Sequence, residues 1–173
     1  MTVLESNGDG AFPPAVADAV EAAVEKTFAA ICGEKPIQQP SGRQTGSCPC
    51  VIGIISFVGE TPWSLSLALA DDTAPALVHK FVGFEIAFDS PDMGDAVGEL
   101  VNVLAGDVVA QLEQRRIKAQ MTLPTVARGS AIQLFPESGT AAVQLDYASK
   151  QGSFWVRLMS AKPGQIRDRL SGR

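Results

Sequence analysis

Apolar residues recur at spacings of three and four in some stretches of the chain and at a spacing of two in others, and the switch between periods divides it into elements. The longest helical pattern runs from Asp92 to Arg116. At about 100° per residue, Val97, Leu100, Val101, Leu104, Val108 and Leu112 fall within roughly 120°, the width of a core-facing stripe. Asp95, Glu99, Asn102 and Gly106 fall within roughly 60° of one another on the opposite side, which the pattern turns to solvent. Asp92 is the expected N-cap and Asp95 the first-turn acid, while Arg115 and Arg116 suit the negative end of the helix dipole.

Shorter patterns place the other elements. Pro14 followed by Val16, Val20, Val24, Phe28 and Ile31 predicts an amphipathic helix over residues 14–32, ended by Gly33. Residues 1–13 carry little to bury and are expected to be flexible, and residues 33–50, rich in Pro, Gly, Gln and Ser, are expected to form a loop. The runs 51–59 and 63–70 predict a β-hairpin, and Asp71 or Asp72 then caps a short helix over 75–82 that stops at Gly83. After the long helix the period is strand-like over 117–129, 131–136, 141–149 and 153–160. Pro124 puts the first of these at a sheet edge or bends it. Residues 161–173 form a basic tail. This order predicts one α+β domain over 14–160, a mainly antiparallel six-stranded sheet with the long helix laid across it.

Composition narrows the class. A chain of 173 residues with 46% hydrophobic and 19% charged residues suits a single globular domain. No apolar run reaches the roughly 18 residues of a membrane span, and the first residues lack the basic segment and apolar core of a secretory signal, so a cytoplasmic location is expected. A net charge of −5 argues against nucleic acid as the partner. Cys32, Cys48 and Cys50 are an odd number, which argues against a disulfide framework, and Cys48-x-Cys50 without a nearby His reads as ordinary thiols in a loop rather than a metal site. His79 is the sole histidine and supports no Ser-His-Asp or Cys-His arrangement. Trp63 and Trp155 read as sheet core.

The outward face of the long helix is where chemistry is expected. It carries no Lys, so it lacks the Glu–Lys pairs that stabilise an ordinary solvated face. Glu99 and Asn102, at i and i+3, stand side by side. Gly98 and Gly106 each cost the helix about 1 kcal/mol relative to Ala, and close approach by another backbone is the expected reason.

The pattern Asp95-x-x-x-Glu99-x-x-Asn102, followed by Gly106 and by LPTVARG at residues 123–129, resembles the CheX/CheC family of chemotaxis phosphatases, and the CheX branch most. The resemblance implies a phosphorylated response-regulator receiver domain such as CheY as partner, and hydrolysis of its aspartyl phosphate as the reaction. It implies that Asn102 orients the attacking water, that Glu99 pairs with the receiver lysine beside the phosphoryl group, and that Asp95 supports docking, with Gly98 and Gly106 on the partner-binding face. It further implies a homodimer, no cofactor in this chain, and Mg2+ held by the receiver. The single copy of the motif fits CheX rather than CheC, while Val101 stands where the family often has a small residue. Two other readings remain: a non-catalytic module that binds a receiver or a second copy of itself, and a structural subunit related to flagellar switch proteins, for which a longer chain is expected.

Overall fold

Helices form where the period is near 3.6 and strands where it is two, with differences at the borders. The computed structural model describes residues 12–40, 49–59, 62–132, 134 and 140–160. Its elements run α1 (Pro14–Cys32), β1 (Ile37–Gln39), β2 (Pro49–Val58), β3 (Trp63–Ala70), α2 (Thr73–Val82), α3 (Pro91–Gln114), β4 (Gln120–Met121), β5 (Thr125–Ser130), β6 (Ala141–Ser149) and β7 (Gly152–Ser160). The fold is α+β, with, among the described residues, an antiparallel sheet of seven strands in the order β1-β6-β7-β3-β2-β4 and β5 also paired to β2.

Among the described residues the expected six strands become seven through two gains and one loss. The loop expected over residues 33–50 contains β1, which pairs with β6. All three of its residues are exposed, so it leaves no alternation of buried and exposed positions to read. The strand expected over 117–129 is interrupted at Leu123-Pro124 into β4 and β5, and both pieces pair with the same strand, β2. Proline has no N–H to give to a ladder and is tolerated at a sheet edge, which is where Pro124 lies. Of the strand expected over 131–136, Ala131, Ile132 and Leu134 form none, and the other positions lie outside the described residues.

The start of the packed chain also moves. Phe12, within the segment expected to be flexible, is buried and stands edge-on to Trp63 with ring centroids 5.9 Å apart. Residues 1–11 and the basic tail, 161–173, lie outside the described residues. In α2, Asp72 holds the cap position, but its carboxylate accepts from the Thr73 hydroxyl at 3.0 Å and from no helix N–H.

The three helices pack on one face of the sheet. That face is built from Val51, Ile55 and Phe57 of β2, Leu65, Leu67 and Leu69 of β3, Val156 and Leu158 of β7, and Leu145 of β6, all buried. Trp63 belongs to this core, whereas Trp155 lies on the other face in a small cluster with Ile52 and Ala68. Behind α3, the small residues Ala19 and Ala23 of α1 and Ala105 of α3 are fully buried. Asp107 of α3 accepts from the Thr27 hydroxyl at 2.7 Å and pairs with the Lys26 ammonium at 2.6 Å, which ties α1 to α3.

The start of α3 differs from expectation by two residues. Ser90, not Asp92, is the N-cap, its hydroxyl accepting from the Asp92 N–H at 3.1 Å, and Pro91 follows in the first turn. A Ser cap followed by Pro is the stronger start signal, because Pro lacks an N–H that would be unpaired there anyway. Asp92 is thereby the acid of the first turn and Asp95 falls beyond it. At the other end Arg116 is left-handed (φ 61°), and the N–H groups of Arg116 and Ile117 return to the carbonyls of Glu113 and Leu112, both at 2.9 Å. Arg115 is the C-cap and Arg116 lies beyond it, so neither arginine stands in the last turn of the helix.

Val97, Leu100, Val101, Leu104, Val108 and Leu112 are all 0% exposed, so the stripe faces the core as its period requires. Burial of each such side chain contributes about 1.5–3 kcal/mol relative to exposure, an upper bound when the unfolded chain is itself compact. Val101 inserts against β2 at Gly53, where an added methyl would overlap the Val101 Cγ2. The larger residue on the helix is matched by a missing side chain on the strand. No helix among the described residues is long and apolar enough to cross a membrane.

Overpacking of this kind costs about 1–3 kcal/mol. Gly53→Ala is expected to lower unfolding stability by that amount in urea titration, and Gly53→Ala with Val101→Ala to recover part of it. A single mutant as stable as the wild type would show that α3 does not depend on this contact.

Candidate functional site

Once the stripe is buried, the opposite face of α3 can only point outward. Asp95 and Glu99 are exposed, and Asn102 and Gly106 are half-buried. Neither Asp95, Glu99 nor Asn102 forms a hydrogen bond or ion pair among the described residues. The structure thus brings together the carboxylate and carboxamide singled out in the sequence, and leaves both free.

Along the first half of α3 runs an open groove of about 580 Å3. Asp95, Gly98 and Glu99 line it from the helix, and Pro124, Val126 and Arg128 from the chain leading into and through β5. Asn102 and Gly106 lie further along the same helix face and do not line it. The two glycines differ. Gly98 is buried, and a methyl there would stand 3.4 Å from the Val126 Cγ2 and 4.0 Å from the Pro124 Cγ, so it sits where α3 and β5 meet. Gly106 has nothing within 4 Å of an added methyl, so this chain supplies no close approach there.

Arg128 stands in the LPTVARG stretch quoted from the sequence but is given no role there. Its Nη1 donates to the carbonyls of Phe88 and Ser90, both at 2.7 Å, and its guanidinium carbon lies 6.0 Å from the centre of the Phe88 ring. The signal was present in the alternation of β5, which places Val126 and Arg128 on one face of the strand. Leu123, at the interruption between β4 and β5, is 88% exposed. The bend is fixed by a Thr122 N–H that donates to the Ser56 carbonyl at 2.9 Å and a Thr122 hydroxyl that accepts from the Ser56 N–H at 3.2 Å.

Other chemistry lies elsewhere. Burial pushes the thiols of Cys32 and Cys50 above their ordinary value, the reverse of what an activated nucleophile needs, and Cys48 lies outside the described residues. His79 is exposed on α2, in a separate depression with Lys80 and Lys150. Among the described residues no three His, Cys, Asp or Glu side chains gather as a metal site. The α3 face offers a carboxylate to attract a cation and a carboxamide to donate and accept hydrogen bonds.

The fold matches those of CheC-like and CheX proteins of known structure. A CheC-like protein from Shewanella sp. PV-4 matches with a TM-score of 0.72 at 18% identity, over 86% of this chain and 99% of that one. Chemotaxis protein CheX from Vibrio vulnificus matches with a TM-score of 0.72 at 17% identity, over 83% and 97%. A chain of the CheX–CheY–BeF3–Mg2+ complex from Borrelia burgdorferi matches with a TM-score of 0.69 at 17% identity, over 85% and 98%. The family described as Chemotaxis phosphatase CheX matches residues 51–148, more than half the chain, and the protein belongs to that family. No curated protein matches it.

Because Gly106 meets no neighbour, Gly106→Ala is expected to raise stability by about 0.5–1 kcal/mol through helix propensity, measured by chemical denaturation. A loss of stability would reveal a steric role for this glycine within the chain.

Proposed function

We propose that the protein hydrolyses the aspartyl phosphate of a response-regulator receiver domain of the CheY kind. The observation that carries this reading is the pairing of Glu99 and Asn102 on the solvent side of α3, adjacent and unengaged. Membership of the CheX family supports it, as does the structural neighbour in which CheX is held with CheY, BeF3 and Mg2+.

In this reading Glu99 pairs with a lysine of the receiver and so sets the helix against the phosphoryl group. Asn102 then reaches the water. An amide is no general base at neutral pH, but one that donates and accepts hydrogen bonds can hold a water in line with the scissile phosphorus–oxygen bond. Little more is required, because an acyl phosphate has a good leaving group and phosphoryl transfer depends mainly on alignment and charge neutralisation. A hundredfold acceleration needs only about 2.7 kcal/mol of barrier lowering. Asp95 adds negative charge to the docking face without touching the reacting atoms. Mg2+ is assigned to the receiver, since Asp95 and Glu99 share one helix face without a third ligand-type residue gathered beside them among the described residues.

The test is the decay of phosphate on receiver domains from the same organism. Asn102→Ala is expected to lose the acceleration, a hundredfold or more, with circular dichroism and melting unchanged. Glu99→Ala is expected to raise the half-saturating receiver concentration more than it lowers the maximal rate, and added salt to narrow its difference from wild type. Binding by the wild type without acceleration of any receiver would overturn the phosphatase reading and assign the chain to a non-catalytic receiver-binding module.

A further inference from the structure

We propose that Arg128 is a positioning residue for this site: it fixes the start of α3 to β5 and is bonded to backbone carbonyls in place of the docking carboxylates. The inference rests on the functional reading above.

An arginine in a groove with two carboxylates ordinarily pairs with one of them. Arg128 shares its groove with Asp95 and Glu99 yet forms no ion pair with either. One nitrogen, Nη1, instead donates to the carbonyls of Phe88 and Ser90 at 2.7 Å each. Ser90 is the N-cap of α3, and its carbonyl also accepts from the Met93 N–H at 3.2 Å. Arg128 is in turn held in register opposite Val51 of β2. A continuous set of directional contacts thus runs from the sheet, through one side chain, to the residue at which the motif-bearing helix begins.

The geometry has two effects. Apolar burial is non-directional and resists sliding or rotation of a helix less sharply than hydrogen bonds do. The clamp at Ser90 therefore pins the first turn of a helix whose facing the buried stripe already sets, and so sharpens the placement of Glu99 and Asn102. The second effect is electrostatic. With Nη1 bonded to two carbonyls, Arg128 forms no ion pair that would hold Asp95 or Glu99, and both carboxylates stay available to a cation on the partner, whereas a cation set free in the groove would compete for them.

Arg128→Gln and Arg128→Lys separate these effects from simple stabilisation. Lysine keeps the charge, but its ammonium ends one bond short of the reach of Nη1 and it has no guanidinium to lie against Phe88, so it is not expected to restore both carbonyl bonds. With phosphorylated receiver as substrate and temperatures well below melting, both variants are expected to lose about tenfold in kcat, and Arg128→Lys to show the larger rise in KM as its ammonium pairs with Glu99. Hydrogen exchange supplies a readout independent of activity: the amides of Met93, Gly94 and Asp95 are expected to exchange faster, with those near Leu112 unchanged. Wild-type kinetics in both variants, or full rescue by lysine while exchange stays fast, would overturn the proposal. If the wild type accelerates no receiver, the phosphatase reading fails, and the exchange rates alone decide the clamp: unchanged exchange in Arg128→Gln refutes it. Should Arg128→Gln fail to fold, Arg128→Lys carries the same measurements.

Discussion

Burial of one face of α3 against the sheet decides which of its side chains water and partners can reach. Residues three and four apart share a helix face, so the interior position of Val97, Leu100, Val101 and Leu104 dictates the outward position of Glu99 and Asn102. The site is therefore a by-product of core packing and not of a loop. Its precision is inherited from the interior, where α1 backs the helix through Ala19, Ala23 and the Thr27–Asp107 bond, and where Gly53 sets how closely α3 approaches the strand.

The polar groups of this face gain from being left alone. Asp107, on the same helix, is engaged from α1 by both Thr27 and Lys26, and it serves as a strut. Glu99 and Asn102 have no such partners among the described residues, so their hydrogen-bonding capacity is unspent in the isolated chain. On the proposed reading this division suits a reaction in which the partner carries the leaving group and the metal while this chain contributes direction.

The strongest periodicities were legible in the sequence. The stripe of α3, the amphipathic face of α1 and the β2–β3 hairpin were all marked by buried residues at regular spacing, and the outward placement of Glu99 and Asn102 followed from the first of these. Features that depend on contacts distant in sequence were not legible. β1 is exposed throughout and exists only because β6 offers it an edge. Phe12 is held by Trp63, far along the chain, a contact that no local pattern marks. Arg128 reads as one more polar residue on a strand until its two carbonyl acceptors, on the segment before α3, are seen beside it. The cap at Ser90 was a local signal of a different kind, obscured by the acidic residue that follows it.

The fit of Val101 into the space left by Gly53 also bears on how such a sequence changes over generations. The two positions lie on different elements and far apart in the chain, yet neither can be altered freely while the other stays as it is. A side chain at 53 fits without strain only once 101 has become smaller, and a Val at 101 only once 53 has lost its side chain. The order of substitutions is thus constrained by sterics, and a lineage that takes them in the wrong order passes through an ancestor that bears the overpacking cost at the seat of the motif-bearing helix.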